Sequence, residues 1–396
     1  MFRDAGFLSM VGLAILAVAT LSLLGGSLPF GIGGGSGNGN GDGNGGPVRT
    51  PAPSNVVVVD PRTKVLGSIA YVKSGNIWVQ SGAAAEQLTD GGHDSNPAWS
   101  PDGAWIYFVR TVEEGARFPS AGRKVWYTLT YPLLMRVASD GVVPPEELAT
   151  GKFTNRQGTW FYWLHQPTAD PLGGRLAVVS DGPDPTKRSV ILQFFDLATG
   201  KLTKVDVPEK APFGHQDPAW RPDGAILLYV QNDRDGARGA PSIHRYSPAT
   251  GKSSALTGPG YLSPSWSPDS KFIAATRVTS FGTDIVILDA RNGVEVLRVT
   301  TDERSFSPVW SPAGDGIAFL HVEHGIVDLR LVGLSGAGPD WTLADPLDLT
   351  EVSGLDAASR PVWFIPADQL PEPTPAPTPV PTPTPLPSAD PGSPAP

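Results

Sequence analysis

The middle of this chain repeats itself, and the repeat limits what it can fold into. A segment built on polar-Pro-x-Trp-x-Pro-Asp-Gly runs from Asn96 to Gly103 and returns at Asp217 to Gly224, Ser263 to Ser270 and Ser307 to Gly314. A worn copy runs from Gln166 to Gly173, and a truncated one from Arg360 to Pro366. Trp220, Trp266, Trp310 and Trp363 stand 46, 44 and 53 residues apart. A period of about 40–50 residues suits one four-stranded propeller blade per repeat. After each turn comes an apolar or alternating run, such as Ala104 to Val109, Arg175 to Ser180 or Ala225 to Val230. A third run follows, as at Ser189 to Phe195 or Asp284 to Leu288. The unit closes on Leu-Thr or Val-Thr at Thr89, Thr257, Thr300 and Thr350. Period-2, β-branched runs punctuated by Gly, Pro and Asp are strands. The predicted fold is all-β, a six-bladed β-propeller.

The ends of the repeat region say how the wheel closes. Val65 to Thr89 holds the second, third and fourth strands of a unit, with no Pro-x-Trp strand before them. Pro361 to Pro366 is that missing first strand. One blade is expected to be assembled from both ends of the folded region, which leaves no open radial edge. Each motif residue has a structural task. Pro opens the innermost strand, Trp is an apolar wedge between blades, and Pro-Asp-Gly makes the turn to the second strand. Asp102, Asp223 and Asp269 are therefore turn residues rather than catalytic ones.

The Trp-Ser-Pro-Asp-Gly repeat, from Val65 to Pro366, resembles the TolB-like family of β-propellers. The resemblance implies protein-binding modules in envelope complexes, and the same propeller also caps some hydrolases. No Gly-x-Ser-x-Gly elbow is present to support a serine hydrolase. A counterpart of TolB's separate N-terminal domain is not expected, so the partners of that protein do not transfer.

Composition divides the rest of the chain. Residues 1–5 form a short cytoplasmic N-terminus. Residues 6–30 carry no charge and are mostly apolar, which suits a single-pass transmembrane signal anchor; a cleaved signal peptide is the alternative. Arg3 before this run, with the next cation at Arg49, puts the remainder on the extracytoplasmic side of the cell membrane. Residues 31–64 are a Gly/Asn-rich flexible linker, 65–366 the propeller, and 367–396 a Pro/Thr-rich tail, disordered or extended as a polyproline rod. The 396 residues carry a net charge of −9 with no basic run, which argues against a nucleic-acid partner, and contain no cysteine. No cofactor or metal site is expected. His321 and His324 have the wrong spacing for a strand to bring both to one metal.

Two candidate sites remain. His93, His165 and His215 are expected in loops just before the Pro of an innermost strand. The residue immediately before that Pro is polar in all six repeats: Asn96, Gln166, Asp217, Ser263, Ser307 and Arg360. These would form a ring at one mouth of the central channel, either the solvation of a wet channel or a ligand mouth. The second site is the oversized stretch between Arg110 and Pro167, expected to be irregular. There Trp160, Tyr162 and Trp163 lie in a run of four aromatics whose alternate members either face solvent as a binding surface or cover the core beneath the insertion. The functional expectation is a monomeric, non-enzymatic module binding an envelope protein, peptide or glycan. The alternative is a lyase or hydrolase at the channel mouth, its acid–base pair drawn from Asp94, Asp217, Arg360 and the three histidines.

Overall fold

The computed structural model describes residues 59–120, 123–155, 158–182, 190–208, 214–232 and 241–371. The expected membrane anchor, most of the linker and the tail beyond residue 371 lie outside the described residues. Among the described residues, no helix is long and apolar enough to cross a membrane. Residues Pro61–Lys64, expected as linker, form a 3-10 turn whose start is held by the Asp60 carboxylate accepting from the Arg62 amide.

The alternating runs form six antiparallel sheets arranged as blades. Blade 1 contains β1 (Ser68–Lys73), β2 (Asn76–Ser81) and β3 (Ala84–Gln87). Blade 2 contains β4 (Asp94–Trp99), β5 (Trp105–Ser120), β6 (Arg123–Ala138) and β7 (Glu146–Thr150). A separate hairpin follows, β8 (Lys152–Asn155) with β9 (Gly158–Phe161). Blade 3 contains β10 (Leu164–Ala169), β11 (Arg175–Ser180), β12 (Ile191–Asp196) and β13 (Leu202–Lys204). Blade 4 contains β14 (His215–Trp220), β15 (Leu227–Gln231), β16 (Ser242–Ser247) and β17 (Lys252–Ala255). Blade 5 contains β18 (Tyr261–Trp266), β19 (Phe272–Val278), β20 (Thr283–Asp289) and β21 (Glu295–Arg298). Blade 6 contains β22 (Ser305–Trp310), β23 (Gly316–Glu323), β24 (Ile326–Ser335), β25 (Thr342–Leu343) and β26 (Leu347–Asp348). Last comes β27 (Val362–Phe364).

The wheel closes as the repeat ends require. Strand β27 pairs with β1, with Val362 opposite Ala70, Trp363 opposite Ile69 and Phe364 opposite Ser68. It also touches β22 on one side and β4 on the other, so the six innermost strands form a ring. The apolar core lies between blades. Ala70, Val72 and Ile77 of blade 1 pack on Ile106 and Phe108 of blade 2, and an equivalent cluster fills each of the six interfaces. The Trp wedges serve these seams. Trp99 Nε1 donates to Val362 O of blade 1, and Trp266 Nε1 to Ala219 O of blade 4.

The repeat's polar residues hold single blades together. Ser100 Oγ donates to Asp102 Oδ1 at 2.6 Å, which also accepts from the Ala104 amide. Ser267 and Asp269 repeat this. In blade 6, where Ala313 replaces the turn Asp, Asp315 accepts from Ser311 instead. The Thr of each closing Leu-Thr or Val-Thr accepts a third-strand amide: Thr89 from Ile77, Thr257 from Ile243, Thr300 from Ile285 and Thr350 from Leu329.

The stretch between Arg110 and Pro167 is regular, contrary to expectation. Strands β5 and β6 pair without interruption from Trp105–Ala138 to Ser120–Arg123. Partners β4 and β7 stop at Arg110 and Leu133. The outer ten pairs, from Thr111–Pro132 onward, are a two-stranded arm, about 30 Å long at 3.3 Å per residue. It replaces what is a two-residue turn, Ser74–Gly75 or His324–Gly325, in blades 1 and 6. This connection lies where the innermost strands begin, a side called here the inlet face.

Candidate binding site at the inlet face

The polar residue before each innermost Pro occupies an unusual conformation. Asn96, Gln166, Asp217, Ser263 and Ser307 all have φ between 51° and 53°. At each one the strand ladder slips; Ser95 pairs with Val109, but the next pair is Ala98 with Tyr107. The same slip occurs in β10, β14, β18 and β22. Pro has no N–H for the ladder, so the chain bulges there. The left-handed conformation suits Asn and Asp and costs other residues about 1–2 kcal/mol.

At Asn96, Asp217, Ser263 and Ser307 the bulge turns the amide sideways, toward the preceding blade. Asp217 N donates to Gln166 Oε1 and Ser263 N to Asp217 Oδ2, both at 2.9 Å. Ser307 N donates to Thr276 Oγ1 at 2.9 Å and Asn96 N to Ser359 Oγ at 3.2 Å. The ring foreseen as six parallel polar tips is thus a chain of inter-blade hydrogen bonds. Ser263 and Ser307 are buried, and Asp217 is 5% exposed. The Asp217 carboxylate also accepts from Gln166 Nε2 at 2.9 Å and Ser263 Oγ at 3.0 Å.

Arg360 departs from the pattern. It precedes β27 in blade 1, yet its Nη2 donates to Pro264 O of blade 5 at 2.8 Å, and its Nη1 lies 3.9 Å from Asp217 Oδ1 of blade 4. Blade 4 is opposite blade 1 in a ring of six, so the side chain spans the centre. It keeps 21% of its surface accessible, but its Nε is sealed and without a hydrogen-bond partner. Burial pulls its pKa below the usual guanidinium value, opposed by the Asp217 charge.

The histidines do not share one place, which corrects their assignment to mouth loops. Only His93 lies in a loop, exposed beside β4. His165 is inside β10, its Nε2 buried without a partner, its ring 5.1 Å from that of Trp163; burial lowers its pKa to about 4. His215 begins β14, where Nδ1 accepts the Leu192 amide at 3.0 Å and Nε2 pairs with Pro208 O at 2.8 Å. It does in blade 3 what a Thr hydroxyl does in blades 1, 4, 5 and 6. The other mouth carboxylate, Asp94, is gripped at both oxygens by Arg110, at 2.6 and 2.8 Å. Asp217 and Asp94 are thus both engaged in structural pairing.

The aromatic run is not one alternating strand. Strand β9 ends at Phe161, and Tyr162 and Trp163 belong to the crossing into β10. Both are half-buried. Tyr162 Oη donates to Thr150 O at 2.7 Å, and Trp163 N donates to Asp181 Oδ1 at 2.6 Å. Burial raises Asp181 to about 6. Trp160 lies in β9, opposite Phe153, with its side chain outside the described residues.

Several inlet features had no signal in the repeat. Thr276 and Ser359 are acceptors in the ring but sit outside the motif. Phe281, in the β19–β20 turn, is 84% exposed, and Val352, before β27, is 78% exposed. Buried Ser305 and His321 meet the exposed Asp302, but Ser305 Oγ and Asp302 both meet Nδ1, at 3.2 and 3.3 Å. A relay needs the two on different ring nitrogens. His324 is in the turn beyond β23, apart from His321. Among the described residues, no group of three His, Cys, Asp or Glu could hold a metal ion. A cavity of about 460 Å³ lies on the blade 1–blade 2 seam, beside Trp99 and Phe364 and away from the ring.

No protein-family model and no curated sequence matches the chain. Solved structures do. TolB from Acinetobacter baumannii aligns with a TM-score of 0.51 at 19% identity, over 75% of this chain and 66% of its own. The putative TolB from Agrobacterium tumefaciens aligns with a TM-score of 0.53 at 17% identity, over 77% of this chain and 95% of its own. The fold is that of the TolB-like propellers. An oligogalacturonate lyase solved with manganese aligns at a TM-score of 0.42 and 17% identity, over 68% of this chain and 83% of its own, too loosely for shared chemistry to follow.

Proposed function

We propose that this chain is a membrane-tethered binding module of the cell envelope, which takes a protein, peptide or glycan on the inlet face of its propeller. The observation that carries the reading is the state of the ring. Asp217 spends its carboxylate on Gln166 and Ser263, and Arg360 crosses to Pro264. Groups bonded in this way hold the wheel together and leave recognition to the rim. On that rim Phe281 and Val352 stand out of the surface; exposed aromatic and aliphatic side chains beside a polar rim are what a partner's hot spot needs. The tether is supported by the uncharged run of residues 6–30 and by the Gly/Asn-rich segment after it, which gives the domain room to move.

The test places a photo-crosslinking residue at Phe281 or Val352 in the intact chain. Leu172 and Val294, in turns on the opposite face, serve as controls. Adducts with envelope components are expected from the inlet positions alone. Adducts confined to Leu172 or Val294, or equal from both faces, would refute the assignment.

A further inference from the structure

Beyond Arg110 and Leu133 the strands of the β5–β6 arm pair only with each other among the described residues. Isolated two-stranded ribbons are marginal in water, and only the arm's base is covered. There Phe161 stacks on Tyr131 at 5.4 Å, and Lys152 reaches Glu114 and lies over the Tyr131 ring. Further out, the described side chains change character. From Gly115 to Tyr131 the sequence has three cations, Arg117, Arg123 and Lys124, and no acid, on a chain of net charge −9. All three are exposed. Next to them Trp126, opposite Arg117, is 61% exposed and Val125 41%.

We propose that the tip of this arm docks on an anionic lipid surface. Lys and Arg beside a negatively charged leaflet are attracted to its headgroups, and Trp is favoured at the headgroup level, where an apolar ring meets water. A glycan fits less well. A sugar would stack on the Trp126 ring, but the Arg117 guanidinium already lies over it, 4.6 Å from the centroid, and a Cβ at Gly115 would lie 3.2 Å from the ring. Reach agrees. The arm is about 30 Å long, and a Gly-rich linker of roughly thirty residues spans about 30 Å on average. The proposal rests on the tether for this reach, but not for its chemistry. A docked arm would fix the inlet face at no more than the arm's length from the membrane.

The test uses the full chain, whose lack of cysteine lets one introduced thiol carry an environment-sensitive fluorophore. Thr128→Cys labels the exposed arm, and Thr250→Cys labels an exposed turn on the opposite face. Each is mixed with phosphatidylcholine vesicles and with phosphatidylglycerol-rich vesicles. The arm probe is expected to shift to the blue with anionic vesicles only and the turn probe to stay unchanged. The variant R117Q/R123Q/K124Q should lose on the order of a hundredfold in arm partitioning, about fivefold per cation. Equal emission in both lipids, or an unaffected triple variant, overturns the proposal. So does a response to soluble dextran sulfate with none to anionic vesicles, which would assign the arm to an anionic glycan. Flotation with neutral vesicles reports the tether separately: a chain that fails to float there but still shifts with anionic vesicles refutes the tether and keeps the arm.

Discussion

Replacing Asp217 with Ala should be among the most damaging single changes at the ring. The carboxylate receives three hydrogen bonds, from Gln166 Nε2, Ser263 N and Ser263 Oγ, at 2.9–3.0 Å. It also faces Arg360 at 3.9 Å. Hydrogen bonds to a charged acceptor contribute about 1.5–3 kcal/mol each, and they do not add, because Ser263 offers two donors to one oxygen. Removing one partner of a buried charge pair costs about 3–5 kcal/mol. The expected loss is therefore about 4 kcal/mol. At an unfolding entropy near 2.1 cal/mol/K per residue, a wheel of roughly 300 residues would melt about 6 °C lower. Arg360→Met should cost less, about 1–2 kcal/mol, since Asp217 keeps its other donors and only the Pro264 carbonyl loses its partner. The two changes should couple by at least about 1 kcal/mol, because once Asp217 is gone Arg360 is an uncompensated cation. Denaturant titration of the four proteins of this cycle gives both numbers. If Asp217→Ala costs under about 1 kcal/mol, or the two losses simply add within about 0.5 kcal/mol, the cross-channel latch does not hold the wheel.

Other outcomes follow from the same structure. Burial raises Asp181 to about 6 and lowers His165 to about 4. The Asp181 contribution favours folding below the unfolded carboxylate pKa and is lost as pH rises through 6; the His165 contribution is present above 6.5 and lost as pH falls toward 4. At about 3 kcal/mol each they oppose one another in this window, so Asp181→Asn should make stability fall more steeply on acidification than in the parent. Parallel pH profiles would count against the burial of these two groups. Gly214→Ala puts a Cβ 1.6 Å from Val190 O at a φ of +61°, and should cost about 3 kcal/mol or more in the denaturation midpoint. His215→Ala leaves the Leu192 amide without its acceptor and should cost about 1–3 kcal/mol, while inlet crosslinks at Phe281 persist. Trp266→Phe removes the bond to Ala219 O and part of the ring that packs on the blade 4–blade 5 cluster, and should cost about 1–3 kcal/mol; a loss under about 0.5 kcal/mol would mean the indole does not bridge blades 4 and 5.

The strand pattern was legible because its signals are local. Ser100, Asp102 and Gly103 lie within a few residues and make the same turn wherever they recur, and a turn to β5 or β19 needs nothing from the rest of the chain. The histidines were misplaced for the converse reason. His93, His165 and His215 hold similar positions relative to Pro in the sequence, yet one is exposed, one is half-buried beside Trp163 with its Nε2 shut in, and one stands in for a Thr on the Leu192 amide. The aromatic run was misread because nothing in it signals that β9 ends at Phe161. Pro119, Ser120 and Gly122 mark a turn in the sequence, but the arm's long regular pairing, with Arg117 opposite Trp126, has no signal there because neither strand alternates cleanly between apolar and polar residues.

Sequence by itself determined the six-blade count, the turn chemistry and the closure of blade 1 by Val362 to Phe364, since a sustained period and an incomplete first unit fix what the final strand must do. Tertiary structure alone decided what the ring positions became. Whether Asn96, Asp217, Ser263 and Ser307 present open polar tips or turn their amides sideways to the preceding blade depends on the φ each adopts once Pro breaks the ladder. The reach of Arg360 to Pro264, 96 residues away in the chain, depends on the width of the wheel. That width is set by the packing between all the blades and is written in none of the repeats.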